Sequence, residues 1–273
     1  MPLQTEAVIE AIESVADPKQ AAEWDASGVQ VAGRKASVRR LAVLLDPMPR
    51  GVEQALSWGA DLLLCHHPLS LSPRLPSRID SYHEALRLLL RSDAWLYAAH
   101  TSLDVQTLGP AAWLARALCL SGLAPVVPLR SEAGGEPSPC GYGLIGDLPS
   151  PLGWTTLQSE LSKLLDHTAW TQAGAPPRSV SRVAYCPGSG MSLAEAAFAL
   201  GAQVFLSGDL KYHQAQELEP LGLTIDVGHF ILEEKMMAFW ARELQGSLGG
   251  EGVEIAFFPG HNPMSLHNTT ISL

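Results

Sequence analysis

The chain has 273 residues, of which 47% are hydrophobic, and it carries 28 acidic against 18 basic side chains. Its formal net charge of -10 argues against a large nucleic-acid footprint, because contacts to the phosphate backbone require a basic surface. The length and the hydrophobic content predict a globular protein with one large domain or two moderate ones.

The sequence also predicts a protein of the cytoplasm. Residues 1–18 carry acidic side chains in a helical pattern, where a secretory signal needs basic residues followed by an apolar stretch. Apolar runs such as Leu62–Cys65 are far shorter than the roughly 18 residues of a membrane span. The cysteines are scattered without a C-x-x-C pair, which is typical of free thiols in a reducing compartment.

Short apolar runs alternate with longer helical patterns, which is typical of α/β proteins. The runs that predict strands are Leu41–Leu45, Leu62–Cys65, Trp95–Ala99, Val183–Cys186, Val204–Leu206, Leu223–Val227 and Val253–Phe258. The patterns that predict helices are Arg50–Trp58, Tyr82–Arg91, Pro110–Leu120, Leu193–Leu200 and Phe230–Leu244. We therefore predict mixed sheets flanked by helices.

Two stretches rich in Gly, Pro and Ser interrupt this alternation. Pro125–Pro151 contains enough of these residues to predict a linker or a long exposed connection, and we place a domain boundary there. Thr171–Ser179 predicts a surface loop inside the second domain. The two halves share a strand-helix-strand rhythm, which is compatible with an internal duplication.

Polar residues with metal-binding chemistry follow three of the predicted strands. Leu62–Cys65 runs into His66 and His67, Trp95–Ala99 runs into His100 and Asp104, and Leu223–Val227 is followed by His229. In open α/β sheets the carboxyl ends of the strands line the ligand crevice. The sequence therefore predicts a site at the C-terminal ends of these strands.

His66 and His67 are neighbours, and adjacent side chains in an extended chain point in opposite directions. Both side chains cannot easily reach one metal ion, whereas two ions a few ångströms apart give each imidazole its own partner. Pro68 biases His67 toward an extended conformation. A strand end with two solvated or backbone-bonded histidines explains this motif equally well.

His229 and Glu233 lie four residues apart, so both share one helix face if a helix has begun by His229. The alternative is an exposed pair in the first turn, where Glu is favoured by the helix dipole.

Asp104 is a candidate carboxylate for bridging two ions, or alternatively a cap or Asx-turn residue. His100 is a candidate proton shuttle or ligand-binding group, with a structural histidine as the alternative.

Two further polar clusters are weaker candidates. Asp209, Lys211, Tyr212 and His213 follow a predicted strand and would bind substrate or supply a base, or else form a turn that caps the next helix. The segment Cys186–Gly190 lacks the Lys-Ser/Thr ending of a P-loop, so we interpret it as a tight turn rather than an anion cradle.

Taken together, these segments resemble the Ngg-interacting-factor-three-like family, often catalogued as GTP cyclohydrolase I type 2. The motifs that carry the resemblance are, in chain order, Trp24-Asp25-Ala-Ser-Gly28, Cys65-His-His-Pro-Leu69, His100-Thr-Ser-Leu-Asp104, Ser207-Gly-Asp-Leu-Lys-Tyr-His213 and Gly228-His-Phe-Ile-Leu-Glu233. The chain departs from the family at Ala26, where the family has Asn, and at Leu232, where it has a small polar residue. These departures concern substrate contacts more than metal ligation.

The resemblance implies two related α/β domains and a ring-shaped homohexamer. It implies that residues 218–273 return to complete a metal-binding domain formed by residues 1–125, with residues 126–217 as an inserted second domain. It also implies a dinuclear metal site on five matching positions, facing the cavity of the ring: His66, His67, Asp104, His229 and Glu233.

Imidazoles and carboxylates without a thiolate suit zinc, manganese, iron, cobalt or nickel. A first hypothesis is a metal-dependent hydrolase of a nucleotide such as GTP, with His100 moving protons and with Lys211, Arg74 or Arg78 as local phosphate contacts. A second hypothesis is a non-enzymatic assembly or regulatory protein whose ions are structural. A structural site is coordinatively closed, whereas a catalytic site keeps an exchangeable position.

Overall fold

The computed structural model of the chain describes residues 2–129 and 138–265. Its strands are β1 (Leu3–Gln4), β2 (Gly28–Val31), β3 (Ser37–Val38), β4 (Arg40–Leu44), β5 (Leu62–Cys65), β6 (Trp95–Ala98), β7 (Ser121–Pro128), β8 (Gly141–Gly153), β9 (Thr171–Ala173), β10 (Ser179–Tyr185), β11 (Val204–Ser207), β12 (Leu223–Asp226) and β13 (Glu254–Phe257). Its helices are α1 (Thr5–Val15), α2 (Pro49–Trp58), α3 (Ser81–Ser92), α4 (Thr101–Asp104), α5 (Trp113–Ala117), α6 (Trp154–Leu165), α7 (Ala194–Ala199), α8 (Tyr212–Leu218) and α9 (His229–Leu248).

The first sheet has the strand order β13-β4-β5-β6-β2. β13, β4, β5 and β6 run parallel, and β2 pairs antiparallel with β6. In the register of this sheet Leu44 lies opposite Cys65, and Cys65 lies opposite Ala98. The parallel strands therefore end at the same edge. Every side chain of β5 is buried, which is why this strand reads in the sequence as an unbroken apolar run.

The second sheet has the strand order β7-β8-β10-β11-β12-β9. β10, β11 and β12 are parallel, while β7, β8 and β9 add antiparallel pairs at its two sides. The prediction of an α/β protein with mixed sheets flanked by helices is therefore confirmed.

One hydrophobic core lies between the two sheets. It combines side chains of the first sheet, such as Leu64, with side chains of the second, such as Leu206, and it includes Trp240 of α9, which is 1% exposed. Separate clusters cover the outer faces: α2 and α3 pack on the first sheet, and α7 packs on the second. This arrangement holds α9, which begins at His229, against the edge of the first sheet.

All seven predicted strands are present, with ends that shift by a few residues. Four of the predicted helices are also present, α9 being longer than predicted at its C-terminal end. The prediction for Pro110–Leu120 is wrong as a continuous helix. Pro110–Ala112 forms a 3-10 turn, and only Trp113–Ala117 is α-helical. None of the helices in the described parts of the chain is long and apolar enough to cross a membrane.

The predicted linker at Pro125–Pro151 is mostly a β-hairpin, formed by β7 and β8; its residues 130–137 lie outside the described residues. Because β7 is the edge of its sheet, its prolines remove few ladder hydrogen bonds, and Gly143 adopts a φ of 66° that favours glycine. The predicted loop at Thr171–Ser179 is likewise wrong in part, since β9 pairs with β12.

The position of β12 differs from the predicted domain limits. β12, which we placed in the first domain with residues 218–273, is hydrogen-bonded into the second sheet between β11 and β9. β13 does return to the first sheet, where it pairs with β4. The division into two domains otherwise remains a prediction.

Candidate metal centre

The candidate side chains lie where strands of the two sheets end. His66 and His67 follow β5 directly, and His100 precedes α4, which ends at Asp104. β12 ends at Asp226, three residues before His229 opens α9. Because β5 and β6 are adjacent and parallel, their ends meet at one edge, as the sequence predicts.

Glu233 lies between three of the imidazoles. Its Oε1 is 3.5 Å from Nε2 of His66, and its Oε2 is 3.3 Å from Nε2 of His67 and 3.1 Å from Nε2 of His229. The helix starts at His229, so the spacing of four residues puts Glu233 on the same face one turn later. Residue Glu233 is 3% exposed, and its two carboxylate oxygens face different histidines.

Asp104 and His100 complete the cluster. Oδ1 of Asp104 is 3.7 Å from Nε2 of His66. The His100 ring lies 5.1 Å from the ring of His66 and 5.5 Å from that of His67, centroid to centroid. Two overlapping groups have ligand atoms within 4.8 Å of one another: His66, His67 and His100, and His67, His229 and Glu233. The structure thus brings the five proposed ligand positions together with His100.

Each imidazole has its Nδ1 atom engaged by an oxygen, which leaves Nε2 as the atom available to a metal. The pairs are His66 with the carbonyl of Ala99 (2.9 Å), His67 with Asp46 (2.7 Å), His100 with Asp25 (2.8 Å) and His229 with Asp209 (2.8 Å). Such partners fix the tautomer and the orientation of metal-binding histidines. Four rings arranged in this way are hydrogen-bonded rather than free in solvent, and their Nε2 atoms could bind metal ions.

Sequence reasoning gave no role to Asp46, and none to Asp25 beyond its place in a motif. Asp46 follows β4 after one residue, at the same edge as His66, so the strand-end pattern is a signal that could have found it. Asp25 lies 75 residues from His100 and follows no predicted strand, so only the fold brings the two together.

The interpretation of Asp209 as a helix cap is wrong. Its carboxylate accepts the hydrogen bond of His229, and the residue has a φ of 64° in the left-handed region. The helix that follows, α8, begins only at Tyr212, and the backbone N–H of Leu210 binds Asp226 instead. Asp209 therefore supports the cluster from the second sheet.

The charges of the cluster depend on one another. Burial lowers the pKa of His67, but hydrogen bonds to Asp46 and Glu233 outweigh burial and raise it to about 10. The hydrogen bond to Glu233 is the main reason why the pKa of His229 rises to about 9. Burial raises the pKa of Glu233, yet the imidazoles, His66 foremost, hold that pKa well below its usual range. Burial raises the pKa of Asp104.

Two buried polar atoms in the centre lack a hydrogen-bond partner, namely Nε2 of His66 and Oδ1 of Asp104, whereas Oε2 of Glu233 meets only the Nε2 atoms of His67 and His229. A buried polar group without a partner costs about 1–3 kcal/mol. These two atoms come from an imidazole and a carboxylate and lie 3.7 Å apart. A cation bound by both would satisfy them, so the residues fit a metal site.

The segment Cys186–Gly190 closes one side of the cluster. It bends after β10, and the carbonyl of Gly188 accepts a hydrogen bond of 2.8 Å from the N–H of Gly208, which follows β11. Its interpretation as a tight turn remains a prediction. Gly188 has a φ of 66°, and a Cβ at this position would overlap Oε1 of Glu233. Only glycine lets this backbone approach the carboxylate so closely.

The remaining polar residues that the sequence suggested lie outside the cluster of histidines and carboxylates. Lys211, Tyr212 and His213 are exposed at the start of α8. Arg74 is ion-paired with Asp80 and lies over the ring of Tyr82 at 4.7 Å. The suggested phosphate contacts at Arg74, Arg78 and Lys211 remain a prediction.

The chain also matches a known protein family. The model of the family "Duf34/NIF3 (NGG1p interacting factor 3)" matches residues 3–263. The chain therefore belongs to the DUF34/NIF3 family, and the resemblance inferred from its motifs is confirmed.

Bacterial relatives match most of the chain. A protein of Streptomyces coelicolor named "GTP cyclohydrolase 1 type 2 homolog" is 34% identical over 232 residues, which cover 83% of this chain and 80% of that protein. A protein of a Nostoc strain with the same name is 34% identical over 203 residues, covering 71% and 73%. Among solved structures, a Bacillus cereus protein related to NIF3 has a TM-score of 0.87 at 20% identity, covering 98% of this chain and 100% of that one. This last likeness shows the fold.

Proposed function

We propose that the chain binds two divalent transition-metal ions through His66, His67, Asp104, His229 and Glu233, and that it hydrolyses a nucleotide or a similar small molecule. The observation that carries this proposal is the placement of Glu233, a buried carboxylate whose two oxygens lie 3.1–3.5 Å from three separate imidazoles.

Glu233 would help to hold both ions, because its two oxygens face different histidines. Oε1 of Glu233 faces His66, which also lies beside Asp104, while Oε2 faces His67 and His229. The donors thus fall into two halves that share one carboxylate. Imidazole and carboxylate donors without a thiolate select zinc, manganese, iron, cobalt or nickel over calcium.

Two such ions supply Lewis acidity and lower the pKa of water. The role that we propose for His100 is proton transfer. Its Nδ1 is held by Asp25 at 2.8 Å, which leaves Nε2 facing the cluster as the atom that accepts or returns a proton. Asp25 in turn is fixed by Thr101 and Ser27, so the ring keeps one orientation.

Partial exposure favours catalysis over a structural or stored-metal role. The side chains of His66 and Glu233 are 0% and 4% exposed, whereas those of His67 and His229 are 24% and 36% exposed. The centre is therefore closed on one side and reachable on the other, which suits a site with an exchangeable position. The names of the Streptomyces and Nostoc relatives support a nucleotide as the substrate class.

Two further properties belong to the proposal. We propose a homohexameric ring on the basis of the family resemblance. Light scattering of the purified chain would measure the mass of this assembly. We also propose a cytoplasmic location, which suits the four free cysteines Cys65, Cys119, Cys140 and Cys186.

The test of the proposed activity is a hydrolysis screen. The chain, reconstituted separately with zinc and with manganese, is incubated with nucleoside triphosphates including GTP, and products are followed by chromatography. Turnover should depend on metal and disappear in Glu233→Gln. Metal-loaded protein that turns over no nucleotide or related small ester would instead favour the non-enzymatic role.

A further inference from the structure

Trp24 is an exposed aromatic side chain beside the metal centre. It is 61% exposed, although an indole ring is among the largest apolar groups a protein can bury. Its ring lies 5.8 Å from that of His100, centroid to centroid, in an edge-to-face arrangement with an interplanar angle of 74°. A single exposed apolar residue needs no explanation in general, but this one adjoins a ring of the candidate site.

The turn that carries Trp24 is held on both sides. The N–H of Ala22 donates to Oγ1 of Thr101 at 2.9 Å, and the N–H of Asp25 donates to the carbonyl of Ala22 at 2.9 Å. The carboxylate of Asp25 accepts from Oγ1 of Thr101 at 2.6 Å and from Nδ1 of His100 at 2.8 Å. The backbone that presents Trp24 is therefore tied to the same carboxylate that orients His100.

An exposed indole on a rigid support is suited to stacking. Tyr and Trp provide large, flat contact areas at a low cost in conformational entropy. Nucleic-acid-binding proteins use such rings as platforms, because every base has a π-face that stacks on them. A planar ring resting on Trp24 would lie next to His100, which faces the metal-binding atoms of His66 and His67.

We infer that Trp24 is a stacking platform for the substrate, and that the substrate carries a planar heteroaromatic ring. This inference rests on the proposed function, because it takes the metal centre as the place where the ligand reacts. It goes further by assigning the ring of the ligand, rather than its phosphates, to a named side chain outside the metal ligands.

The test compares two probes that differ by the ring, and AMP and flavin mononucleotide are added for the wild type as further ring-bearing probes. GMP carries a purine, and ribose 5-phosphate carries the same sugar phosphate without it. Their affinities are measured by equilibrium dialysis for the wild type, Trp24→Phe and Trp24→Ala, each both zinc-loaded and metal-free. Leu90→Ala is the matched control, because Leu90 is 60% exposed on α3, which carries none of the candidate site residues.

Trp24→Ala should weaken GMP binding by about tenfold or more, in line with the known strength of base–aromatic stacking, while leaving ribose 5-phosphate binding unchanged. Trp24→Phe should retain most of the GMP affinity, and Leu90→Ala should match the wild type. Zinc content should be the same in all four proteins.

Several results would overturn the inference. One is equal loss of both probes in Trp24→Ala, and another is no loss of either. A third is a change of oligomeric mass in Trp24→Ala with GMP affinity retained, which would make Trp24 a subunit contact. A fourth is a wild type that binds none of GMP, AMP and flavin mononucleotide. A chain that takes up no zinc contradicts the proposed function instead, and the metal-free measurements still decide the role of Trp24.

Discussion

Gly188 and Glu233 touch across the boundary between the two sheets. Gly188 lies in the bend after β10 of the second sheet, and a Cβ there would overlap Oε1 of Glu233 in α9. The same Cβ would lie 3.4 Å from Nε2 of His229. The bend after β10 of the second sheet thus fixes the position of the Glu233 carboxylate. This carboxylate faces His66 and His67 at the edge of the first sheet and His229 at the start of α9.

The first prediction is that Gly188→Ala will weaken metal binding. The added methyl must displace Glu233, and it places alanine at a φ of 66°, a backbone conformation that costs of order 1–3 kcal/mol for residues other than glycine. Zinc titration and thermal unfolding of the metal-free protein measure the two effects.

Gly246→Ala is the matched control. Gly246 lies in α9, a Cβ added there would meet no other atom within 4 Å, and its φ is not strained. Alanine at this position should therefore be neutral or stabilise the helix by up to about 1 kcal/mol. Normal zinc affinity in Gly188→Ala would show that Glu233 can shift without loss, contrary to the account.

A second prediction ranks two carboxylates. Glu233→Gln removes a ligand oxygen and a buried negative charge, whereas Asp209→Asn disturbs only the orientation and tautomer of His229. Loss of an outer partner of a metal-bound histidine reduces metal affinity by about 10–100-fold, so Asp209→Asn should fall in that range and Glu233→Gln well beyond it.

Zinc titration of both variants gives the ranking, with melts of the metal-free proteins to separate folding defects. Wild-type affinity in Glu233→Gln would remove Glu233 from the site. Wild-type affinity in Asp209→Asn would show that Nδ1 of His229 needs no carboxylate.

The third prediction concerns His100→Ala. If His100 transfers protons, this variant keeps its metal, within a few-fold of wild-type affinity, and loses hydrolytic turnover. His100 lies close enough to His66 and His67 to serve as a ligand as well, so the metal content decides between the two roles. Loss of one ion from His100→Ala would make His100 a ligand.

The fourth prediction is that metal binding releases protons. In the metal-free protein the pKa of His67 is raised to about 10 and that of His229 to about 9, so both rings are protonated at pH 7. A metal needs neutral imidazoles, so binding should expel protons from both rings, and apparent affinity should rise as pH increases toward these values.

Glu233, whose pKa is lowered, is already ionised and releases none. Calorimetry in two buffers of different ionisation enthalpy measures the released protons. A binding enthalpy that does not depend on the buffer would contradict the protonated state of both rings.

The sequence predicted the strands of the parallel layers and the clustering of imidazoles and carboxylates at their ends. This was possible because buried parallel strands such as β5 are continuous apolar runs, and because residues directly after them meet at one edge. The hairpin of β7 and β8 was missed, since its Gly and Pro content is typical of a linker.

The residues that orient the histidines and Glu233 were harder to predict, because segments far apart in the sequence bring them into contact. Asp25 reaches His100 across 75 residues, and Asp209 reaches His229 across 20. The contact of Gly188 with Glu233 joins two sheets and leaves no periodic signal in the chain. Asp46 is the exception, since it follows β4 at the edge where the other strands end.

The most direct test of the central claim is the metal content of the purified chain. The protein is stripped with a chelator, reconstituted with zinc or manganese, dialysed and analysed by inductively coupled plasma mass spectrometry together with Glu233→Gln. The account predicts two ions per wild-type chain and fewer in the variant, because Glu233 faces both halves of the site. A wild type that retains no transition metal after reconstitution would contradict it.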